Sequence, residues 1–308
     1  MDGVSHIVVD WGTSSFRLWA LARDGRVLAE RRSGQGLLTA TTEGFEIVLE
    51  THLAALGVGE GVPVMMCGMV GARSGWVEAA YVDTPARLDR LAAHAVAVPS
   101  THRPIRILPG LAQRGAAGAD VMRGEETQLL SLIRDGFDGI ACLPGTHSKW
   151  VRVEKGTVSH FATFMTGELF HLLRTTSVLA AAVEAAAVEP DDPAFADGVR
   201  EGLAMPELLG NQLFRLRAAW LLAGEEPARG LARLSGLLIG GELAGAAKLF
   251  GPLAEVALVA SGSAVFLYRI ALMLAGASTV IVHDADACVR AGLHAAALIA
   301  FPQEKVPA

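Results

Sequence analysis

The sequence predicts an α/β fold built from two similar halves, with mixed sheets and flanking helices. The first observation is a repeat: an apolar strand, a Gly-Thr-x-Ser turn and two further strands occur near residue 10 and again near residue 145. The second is the helical spacing of apolar residues over most of the chain after residue 165. The third is composition, because 52% hydrophobic residues and 34 glycines suit close packing of helices on sheets.

Composition also excludes several classes of protein. A formal net charge of −6 offers no basic surface for nucleic acid. No apolar run reaches the length of a membrane span without a charge or a breaker, and no signal peptide is recognisable, so we expect a cytoplasmic protein. Cys67, Cys142 and Cys288 lie far apart in apolar contexts, which predicts buried thiols rather than disulfides. Neither a nucleic acid nor a membrane is therefore expected as a partner, and a homodimer stays open.

The first half begins with three antiparallel strands at 7–9, 16–21 and 26–31. A helix is predicted from Thr41 or Thr42 to Leu56, followed by buried strands at 63–67 and 105–108. A Gly/Ala-rich loop then leads to a helix from about Arg123 to Arg134. This order predicts a sheet that opens with a hairpin and continues with strands separated by helices or loops.

The second half repeats the opening and then becomes rich in helices. The predicted strands are 140–143, 149–153, 157–161, 256–260 and 279–282, and the predicted helices are 166–187, 193–203, 207–223, 231–250, 264–274 and a last one from Asp284 or Asp286 to Ala300. Gly292, with Ala291 and Ala295 on the last helix, predicts a close crossing at the hinge with the helix that begins near Gly124. We expect an N-terminal domain of residues 1–120 completed by 284–308, and a C-terminal domain of residues 121–283.

The turn that follows the first strand is the first candidate site. Gly12, Thr13 and Ser14 offer backbone N–H groups and hydroxyls, which suit the anionic oxygens of a phosphate chain. Asp10 ends the preceding strand and is placed to hold Mg²⁺ directly or through water. The alternative is an ordinary hairpin with a polar turn.

The second half offers two further segments for a nucleotide. The turn at the first corner of its hairpin supplies four candidate phosphate contacts: Gly145, Thr146, His147 and Ser148. Ser261 and Gly262 lie between a strand and a helix, where small side chains let a base and a ribose approach the backbone. The alternatives are a plain hairpin corner and an ordinary strand-to-helix connection.

Five blocks of sequence carry a family resemblance. They are DWGTSS at 10–15, CGMVGARSGW at 67–76, DVMRGEETQ at 120–128, LPGTHSKW at 143–150 and MTGELF at 165–170. In this order they closely resemble the 2-dehydro-3-deoxygalactonokinase family of the sugar kinase, Hsp70 and actin superfamily. The resemblance implies a two-domain actin-like ATPase (ribonuclease H-like) fold, with ATP and Mg²⁺ in an interdomain cleft.

The same resemblance implies an activity, which is ATP-dependent phosphorylation of the terminal (C6) hydroxyl of 2-dehydro-3-deoxy-D-galactonate in D-galactonate breakdown. Two alternatives remain open. One is a kinase for another sugar acid, such as 2-dehydro-3-deoxygluconate, and the other is an ATPase switch of the actin or Hsp70 kind. A P-loop or a Rossmann motif is not recognisable in the sequence.

A kinase of this superfamily is expected to place a carboxylate base at a helix start, shortly before the second phosphate turn. Asp120 is the predicted base, because it follows the flexible Gly/Ala loop and is expected to open a helix. A base must come within about 3 Å of its hydroxyl, directly or through one water. Glu125 and Glu126 are the next candidates, and a helix N-cap is the structural alternative for Asp120.

The carboxylate of a sugar acid needs donors, and arginine binds carboxylates through two parallel hydrogen bonds. The candidates are Arg17, Arg73 and Arg123, of which Arg73 is favoured because it lies in the glycine-rich loop 68–76. The same loop supplies three further predicted substrate contacts: Gly68, Met69 and Trp76. An ordinary ion pair is the alternative for each arginine.

Overall fold

The computed structural model describes residues 1, 3–115 and 118–302, which form two compact units. The first unit contains residues 1–138, 154–159 and the described residues after 284, and the second contains 139–153 and 160–284. Compactness therefore groups residues 121–138 with the first unit. The domain boundaries expected from the sequence stay a prediction.

The strands are short, and all those of the described chain lie in three sheets. They are β1 (His6–Trp11), β2 (Phe16–Leu21), β3 (Val27–Ser33), β4 (Val64–Gly68), β5 (Val82–Asp83), β6 (Ala86–Arg87), β7 (Val96–Val98), β8 (Ile105–Ile107), β9 (Leu111–Gln113), β10 (Asp120–Met122), β11 (Gly139–Leu143), β12 (Ser148–Glu154), β13 (Thr157–Phe164), β14 (Glu255–Ala260) and β15 (Thr279–Asp284).

The helices are concentrated in the second unit. They are α1 (Leu37–Glu43), α2 (Phe45–Ala55), α3 (Glu125–Arg134), α4 (Thr166–Thr175), α5 (Pro193–Ala204), α6 (Leu209–Ala223), α7 (Pro227–Phe250), α8 (Ser263–Leu274) and α9 (Ala285–Ala300). Short 3₁₀ segments occur at Met69–Gly71, Leu88–His94, Ala180–Val183 and Pro206–Leu208.

The two large sheets share the arrangement of five strands and differ in where the sixth strand is added. In the first, the strand order is β3-β2-β1-β4-β8-β7, and in the second it is β15-β14-β11-β12-β13-β6. β1 pairs antiparallel with β2 and parallel with β4, and β11 pairs antiparallel with β12 and parallel with β14. The repeat in the sequence is therefore a repeat in structure, and the predicted fold class, an α/β actin-like ATPase (ribonuclease H-like) fold, is confirmed. A third sheet has the order β10-β9-β5.

Each unit has its own apolar core. All six residues of β1 are buried, as expected for a central strand covered on both faces. Val48, Leu49 and Leu53 of α2 pack in the same cluster as the residues of β1 and β4. In the second unit, α7 is buried along most of its length and packs with α5, α8 and β14. These cores hold the turns that follow β1 and β11 in place.

Several predicted boundaries were wrong, and two of the errors occur at a glycine. Gly44 has φ of 97°, so the predicted helix from Thr41 or Thr42 divides into α1 and α2. Gly124 has φ of 111°, so α3 begins at Glu125 instead of Arg123. A right-handed helix cannot contain such a backbone angle. The helix predicted for 166–187 ends at Thr175, and the short strands β5, β6, β7, β9 and β10 carry too few residues for a readable pattern.

The predicted close helix crossing is present within the first unit. α3 and α9 meet at Thr127 and Gly292, where a Cβ on Gly292 would lie 1.9 Å from the Thr127 carbonyl oxygen. The absence of a side chain therefore allows the two backbones to touch. All three cysteines are buried, as predicted. Within the described chain, no helix has both the length and the apolar character needed to cross a membrane.

Candidate functional site

The turn between β1 and β2 is held from behind by the start of α1. The Gly12 N–H donates to the Ser15 carbonyl (2.8 Å), and the Leu37 N–H donates to the Gly12 carbonyl (2.9 Å). Gly36 lies so close that a Cβ there would be 2.4 Å from the Thr13 carbonyl oxygen. Thr13 and Ser14 are exposed. The predicted phosphate turn therefore has a fixed backbone and hydroxyls that face solvent.

Asp10 and Arg17 face each other in the β1–β2 pair. Arg17 Nη2 lies 2.8 Å from Asp10 Oδ2, and Arg17 Nη1 pairs with Asp286 in the first turn of α9. Asp286 also pairs with Arg32 Nη1 at 2.7 Å. Arg17, a predicted substrate contact, thus binds two carboxylates of its own unit. Sequence reasoning missed Asp286 as a charge partner, although its place at the start of the last helix was recognised.

The Asp10 carboxyl lies in a buried, negatively charged part of the first unit. Burial raises the pKa of Asp10, Arg17 opposes that shift, and the charges of Asp286 and Glu125 add to it. The Cys67 thiol, which lies beside Asp10 on β4, donates to Asp10 Oδ1 at 3.8 Å. Glu125 therefore lies close enough to Asp10 for their charges to interact.

The glycine-rich loop follows β4 and packs on itself. Gly68 has φ of 91°, and a Cβ there would lie 2.7 Å from the Trp11 carbonyl oxygen. The Trp76 N–H donates to the Val70 carbonyl (2.8 Å), and its ring stacks on Phe45 with centroids 6.0 Å apart. Met69 is partly buried, while Arg73 is exposed. Trp76 therefore covers the loop, and Arg73 extends into solvent.

Arg123 lies against the same loop and has unused donors. Its Nη2 donates to the Ala79 carbonyl (2.9 Å), and its guanidinium lies over the Tyr81 ring at 4.3 Å. Its Nε and Nη1 are buried and have no hydrogen-bond partner among the described residues. A Cβ on Gly71 would lie 3.0 Å from Nη1. Because buried unpaired donors are costly, this guanidinium suits an anion.

Asp120 is not at a helix start, so that part of its prediction was wrong. It begins β10, pairs with Gln113 of β9, and its Oδ1 accepts from the Val121 N–H (2.7 Å). The carboxylate at the start of α3 is Glu125, whose Oε2 accepts from the Arg123 N–H (3.0 Å). The sequence could not show this, because the pairing with β9 and the φ of the glycine before α3 decide where the helix begins.

Glu126 lies beside Glu125 but is fully buried. Its Oε2 accepts from the Gly124 N–H (2.7 Å), and its Oε1 accepts from the Thr127 hydroxyl (2.8 Å). Burial, reinforced by the charge of Glu125, raises the pKa of Glu126 to about 8. Burial therefore favours the protonated form of Glu126 at neutral pH, whereas the other two candidate bases, Asp120 and Glu125, are only partly buried.

In the second unit, the turn between β11 and β12 is fixed by the start of α4. Residues 145–147 are exposed. The Glu168 N–H donates to the Thr146 carbonyl (2.9 Å), and a Cβ on Gly167 would lie 2.3 Å from the Gly145 carbonyl oxygen. The arrangement matches that of the first turn, in which a glycine next to a helix start also touches the turn backbone.

The side chains of this turn point in different directions. His147 Nε2 pairs with the Glu168 carboxylate, and Lys149 Nζ donates to the His147 carbonyl (3.1 Å). Ser148, also a predicted phosphate contact, is instead buried, and its hydroxyl hydrogen-bonds the Tyr268 hydroxyl at 2.9 Å. The structure therefore exposes residues 145–147 and places Ser148 beneath them.

A cavity of about 420 Å³ lies next to this turn, within the second unit. Its walls come from the turn at 144–145, the first residues of α4, and Ser263 and Ala264 at the start of α8. Ser261 and Gly262 precede α8 directly, and the Ser261 hydroxyl donates to Asp284 Oδ2 (2.9 Å). Most of the lining is apolar, as binding cavities for small molecules usually are.

Sequence reasoning also missed Glu242, a carboxylate buried behind that cavity. It is the only acidic residue of the predicted helix 231–250, which is otherwise largely apolar. An acid in such a stretch was the signal that could have marked it, because a buried charge needs dedicated partners. Its partners are donors from three other elements, and they are described below.

Two α/β units built around the same five-strand arrangement, each with a turn fixed against a helix start, have the architecture of the actin-like ATPase fold. The family model described as 2-keto-3-deoxy-galactonokinase matches residues 10–296. The chain belongs to this family. The match includes both turns, the glycine-rich loop and Arg123.

Relatives of similar length support the assignment. A protein of Rhizobium meliloti (strain 1021), named for 2-dehydro-3-deoxygalactonokinase activity, is 50% identical over 96% of this chain and 98% of its own length. The 2-dehydro-3-deoxygalactonokinase of Escherichia coli (strain K12) is 33% identical over 95% and 97%. A crystal structure from Sinorhizobium meliloti, described as a 2-dehydro-3-deoxygalactonokinase protein, superposes with a TM-score of 0.92, with 48% identity over 97% and 98% of the two chains.

We expect Glu126 to make stability depend on pH. In the unfolded chain the carboxyl loses its proton near its ordinary pKa of 4.5, whereas in the folded protein the pKa is about 8. The contribution of Glu126 to the free energy of unfolding is therefore complete below pH 4.5 and is lost as pH rises to about 8. Chemical denaturation of wild type and Glu126→Gln between pH 4 and 9 measures it. The stability difference should decrease over this range, and a difference independent of pH would contradict the assignment.

Proposed function

We propose that this protein transfers the γ-phosphoryl group of ATP to the C6 hydroxyl of 2-dehydro-3-deoxy-D-galactonate. The products are 2-dehydro-3-deoxy-6-phosphogalactonate and ADP, in D-galactonate breakdown. The observation that carries this proposal is family membership over residues 10–296. Both relatives named for this activity align over at least 95% of this chain and at least 97% of their own length.

The second unit is proposed to bind the nucleotide. Its apolar cavity of about 420 Å³ has room for a nucleobase and ribose, and residues 261–262 lead into its wall. The exposed turn at 145–147 lies at one side of the same cavity and offers N–H and hydroxyl donors to phosphate oxygens. In the first unit, Gly12, Thr13 and Ser14 are proposed as phosphate contacts on the same grounds.

Asp10 is proposed to hold Mg²⁺. It offers a hard carboxylate oxygen at the end of β1, and Mg²⁺ is usually bound by one or two carboxylates together with phosphates and waters. Among the described residues, no three His, Cys, Asp or Glu side chains form a metal cluster, which fits an ion held mainly by its phosphates. When bound, the ion would neutralise charge on the transferred phosphoryl group.

Arg123 is proposed to bind the carboxylate of the sugar acid. Its buried Nε and Nη1 lack partners in the described structure, so an anion there would satisfy donors that are otherwise costly. Arg73 stays a candidate on the exposed side of the loop, whereas Arg17 already binds Asp10 and Asp286. The order of preference among the three arginines thus changes from that expected from sequence.

In the proposed reaction the base takes the proton of the C6 hydroxyl group. The oxygen of that hydroxyl attacks the γ-phosphorus of ATP, and ADP leaves. The sequence argument placed this base at a helix start, and the carboxylate found there is Glu125. Its charge acts on Asp10, the proposed metal ligand. We therefore place Glu125 ahead of Asp120, which lies in β10 and stays the second candidate.

A cytoplasmic location is proposed as well, because sugar-acid phosphorylation consumes cytoplasmic ATP. The oligomeric state stays a prediction, and a homodimer is compatible with everything above.

The proposed reaction is tested by ADP release from the purified protein with Mg-ATP and a panel of acceptors. The panel holds 2-dehydro-3-deoxygalactonate, 2-dehydro-3-deoxygluconate, the parent aldonates and no acceptor. We expect the galactonate derivative to give the highest kcat/KM. Equal turnover of 2-dehydro-3-deoxygalactonate and 2-dehydro-3-deoxygluconate would contradict the proposed substrate. ADP release that needs no acceptor would indicate an ATPase switch instead of a kinase.

Replacement of Arg123 should weaken sugar-acid binding selectively. Arg123→Gln is expected to raise KM for the sugar acid about 10- to 100-fold, because a hydrogen bond to a charged group is worth about 1.5–3 kcal/mol. KM for ATP should not change. Arg73→Gln, on the exposed part of the loop 68–76, tests the competing candidate: if Arg73 binds the carboxylate instead, Arg73→Gln and not Arg123→Gln should raise this KM. If Arg123→Gln discriminates between the sugar acid and its neutral amide as strongly as wild type does, Arg123 does not bind the carboxylate.

A paired substitution separates the two candidate bases. Glu125→Gln should lower kcat by about 10²- to 10⁴-fold, the usual contribution of a general base, and leave substrate binding intact. Asp120→Asn is expected to keep kcat close to wild type. Single-turnover measurements with saturating Mg-ATP and sugar acid provide the comparison. The reverse result, a slow Asp120→Asn and an active Glu125→Gln, would return the role to Asp120.

A further inference from the structure

The buried carboxylate of Glu242 lies behind the cavity of the second unit. Glu242 is 3% exposed, and its two oxygens accept three hydrogen bonds. Trp150 Nε1 donates to Oε1 (2.8 Å), the Tyr268 hydroxyl donates to Oε2 (2.8 Å), and the Thr166 hydroxyl also donates to Oε2. One side chain of α7 therefore binds residues from β12, α4 and α8.

Two of these donors also form the wall of the cavity. Thr166 and Tyr268 line it, so the positions of their side chains affect its shape. Tyr268 also connects this network to the phosphate turn, because its hydroxyl hydrogen-bonds Ser148, the residue that follows the exposed 145–147 segment. Glu242 thus connects the cavity wall with the base of the turn through two hydroxyl groups.

A plain packing role would not require a charge here. Burial raises the pKa of Glu242, and the hydrogen bonds from Thr166, Trp150 and Tyr268 oppose that shift because they stabilise the charged form. A buried network of this kind is favourable only when each member is satisfied, and it then fixes its members in one arrangement. An apolar residue on α7 could fill the volume, but it could not orient two hydroxyl groups.

We propose that Glu242 is a positioning residue for nucleotide binding. By holding Thr166 and Tyr268, it sets the wall against which the nucleoside lies, and through Ser148 it supports the turn that binds the phosphates. The inference rests on the proposed function in one respect, namely that the nucleotide occupies this cavity. It predicts that loss of the network affects the nucleotide and leaves the sugar acid unaffected.

The test compares Glu242→Gln with Glu201→Gln in the full-length protein. Glu201 is a matched control, since it lies in the same unit, is largely buried and pairs with Arg233 and Arg215, but does not line the cavity. We expect Glu242→Gln to raise the Kd of ADP and KM for ATP about tenfold, the effect of one misplaced hydrogen bond to a charged group. KM for the sugar acid should not change, and Glu201→Gln should change none of these constants.

Titration calorimetry with ADP and thermal unfolding of each variant complete the design. If Glu242→Gln does not fold, Tyr268→Phe and Thr166→Val test the proposal in its place. Each substitution removes one hydrogen-bond donor to Glu242 and keeps the shape of the cavity wall. Weaker ADP binding in both supports the proposal. A folded Glu242→Gln with wild-type ADP affinity, or wild-type affinity in both donor variants, overturns it. A wild-type protein that does not bind ADP would overturn the proposed function together with this inference.

Discussion

The two turns proposed to bind phosphate depend on the same steric constraint, which is a glycine whose missing side chain lets a helix start touch the turn. In the first unit, Gly36 lies against the backbone of Thr13 at the start of α1. In the second, Gly167 lies against the backbone of Gly145 at the start of α4. Any side chain at either glycine would displace the turn, because the atom it would meet is backbone and not a flexible side chain. The hydroxyl and N–H donors of each turn are therefore positioned before any ligand arrives, which lowers the entropic cost of binding.

Charge in the first unit is arranged around Asp10. Arg17 binds Asp10 and Asp286 together, and Arg32 shares Asp286. Asp10, the proposed metal ligand, therefore has Arg17 as a cationic partner within its own unit. If a metal ion displaced Arg17 from Asp10, Arg17 would still have Asp286 as a partner. Arg123 differs from Arg17 in its partners: Arg17 binds two carboxylates and leaves only Nε buried without a described partner, whereas Arg123 contacts a carbonyl and an aromatic ring and leaves both Nε and Nη1 unpaired. This difference in hydrogen bonding, more than position in the sequence, distinguishes a structural arginine from a candidate substrate arginine.

The second unit differs from the first in that it contains a largely apolar cavity. Apolar walls adapt to mutation and exclude water, but they do not orient groups by themselves. Hydrogen bonds from Trp150, Thr166 and Tyr268 to Glu242 supply that orientation from behind the wall. The turn at 145–147 is connected to the same network through Ser148. The cavity wall and the exposed turn are thus supported by one buried side chain.

The sequence by itself determined the repeated strand–turn–strand units, the buried central strands, the two exposed turns and the close crossing at Gly292. These follow from local patterns of apolar residues, glycines and hydroxyls. The roles of Asp120, Ser148, Glu242 and Asp286 depended on contacts between residues far apart in the chain. Asp120 lies in a strand because β9 pairs with it, and Ser148 is buried because Tyr268 lies beneath the turn. Arg17 and Asp286 are 269 positions apart, so only the tertiary structure could decide that they form an ion pair.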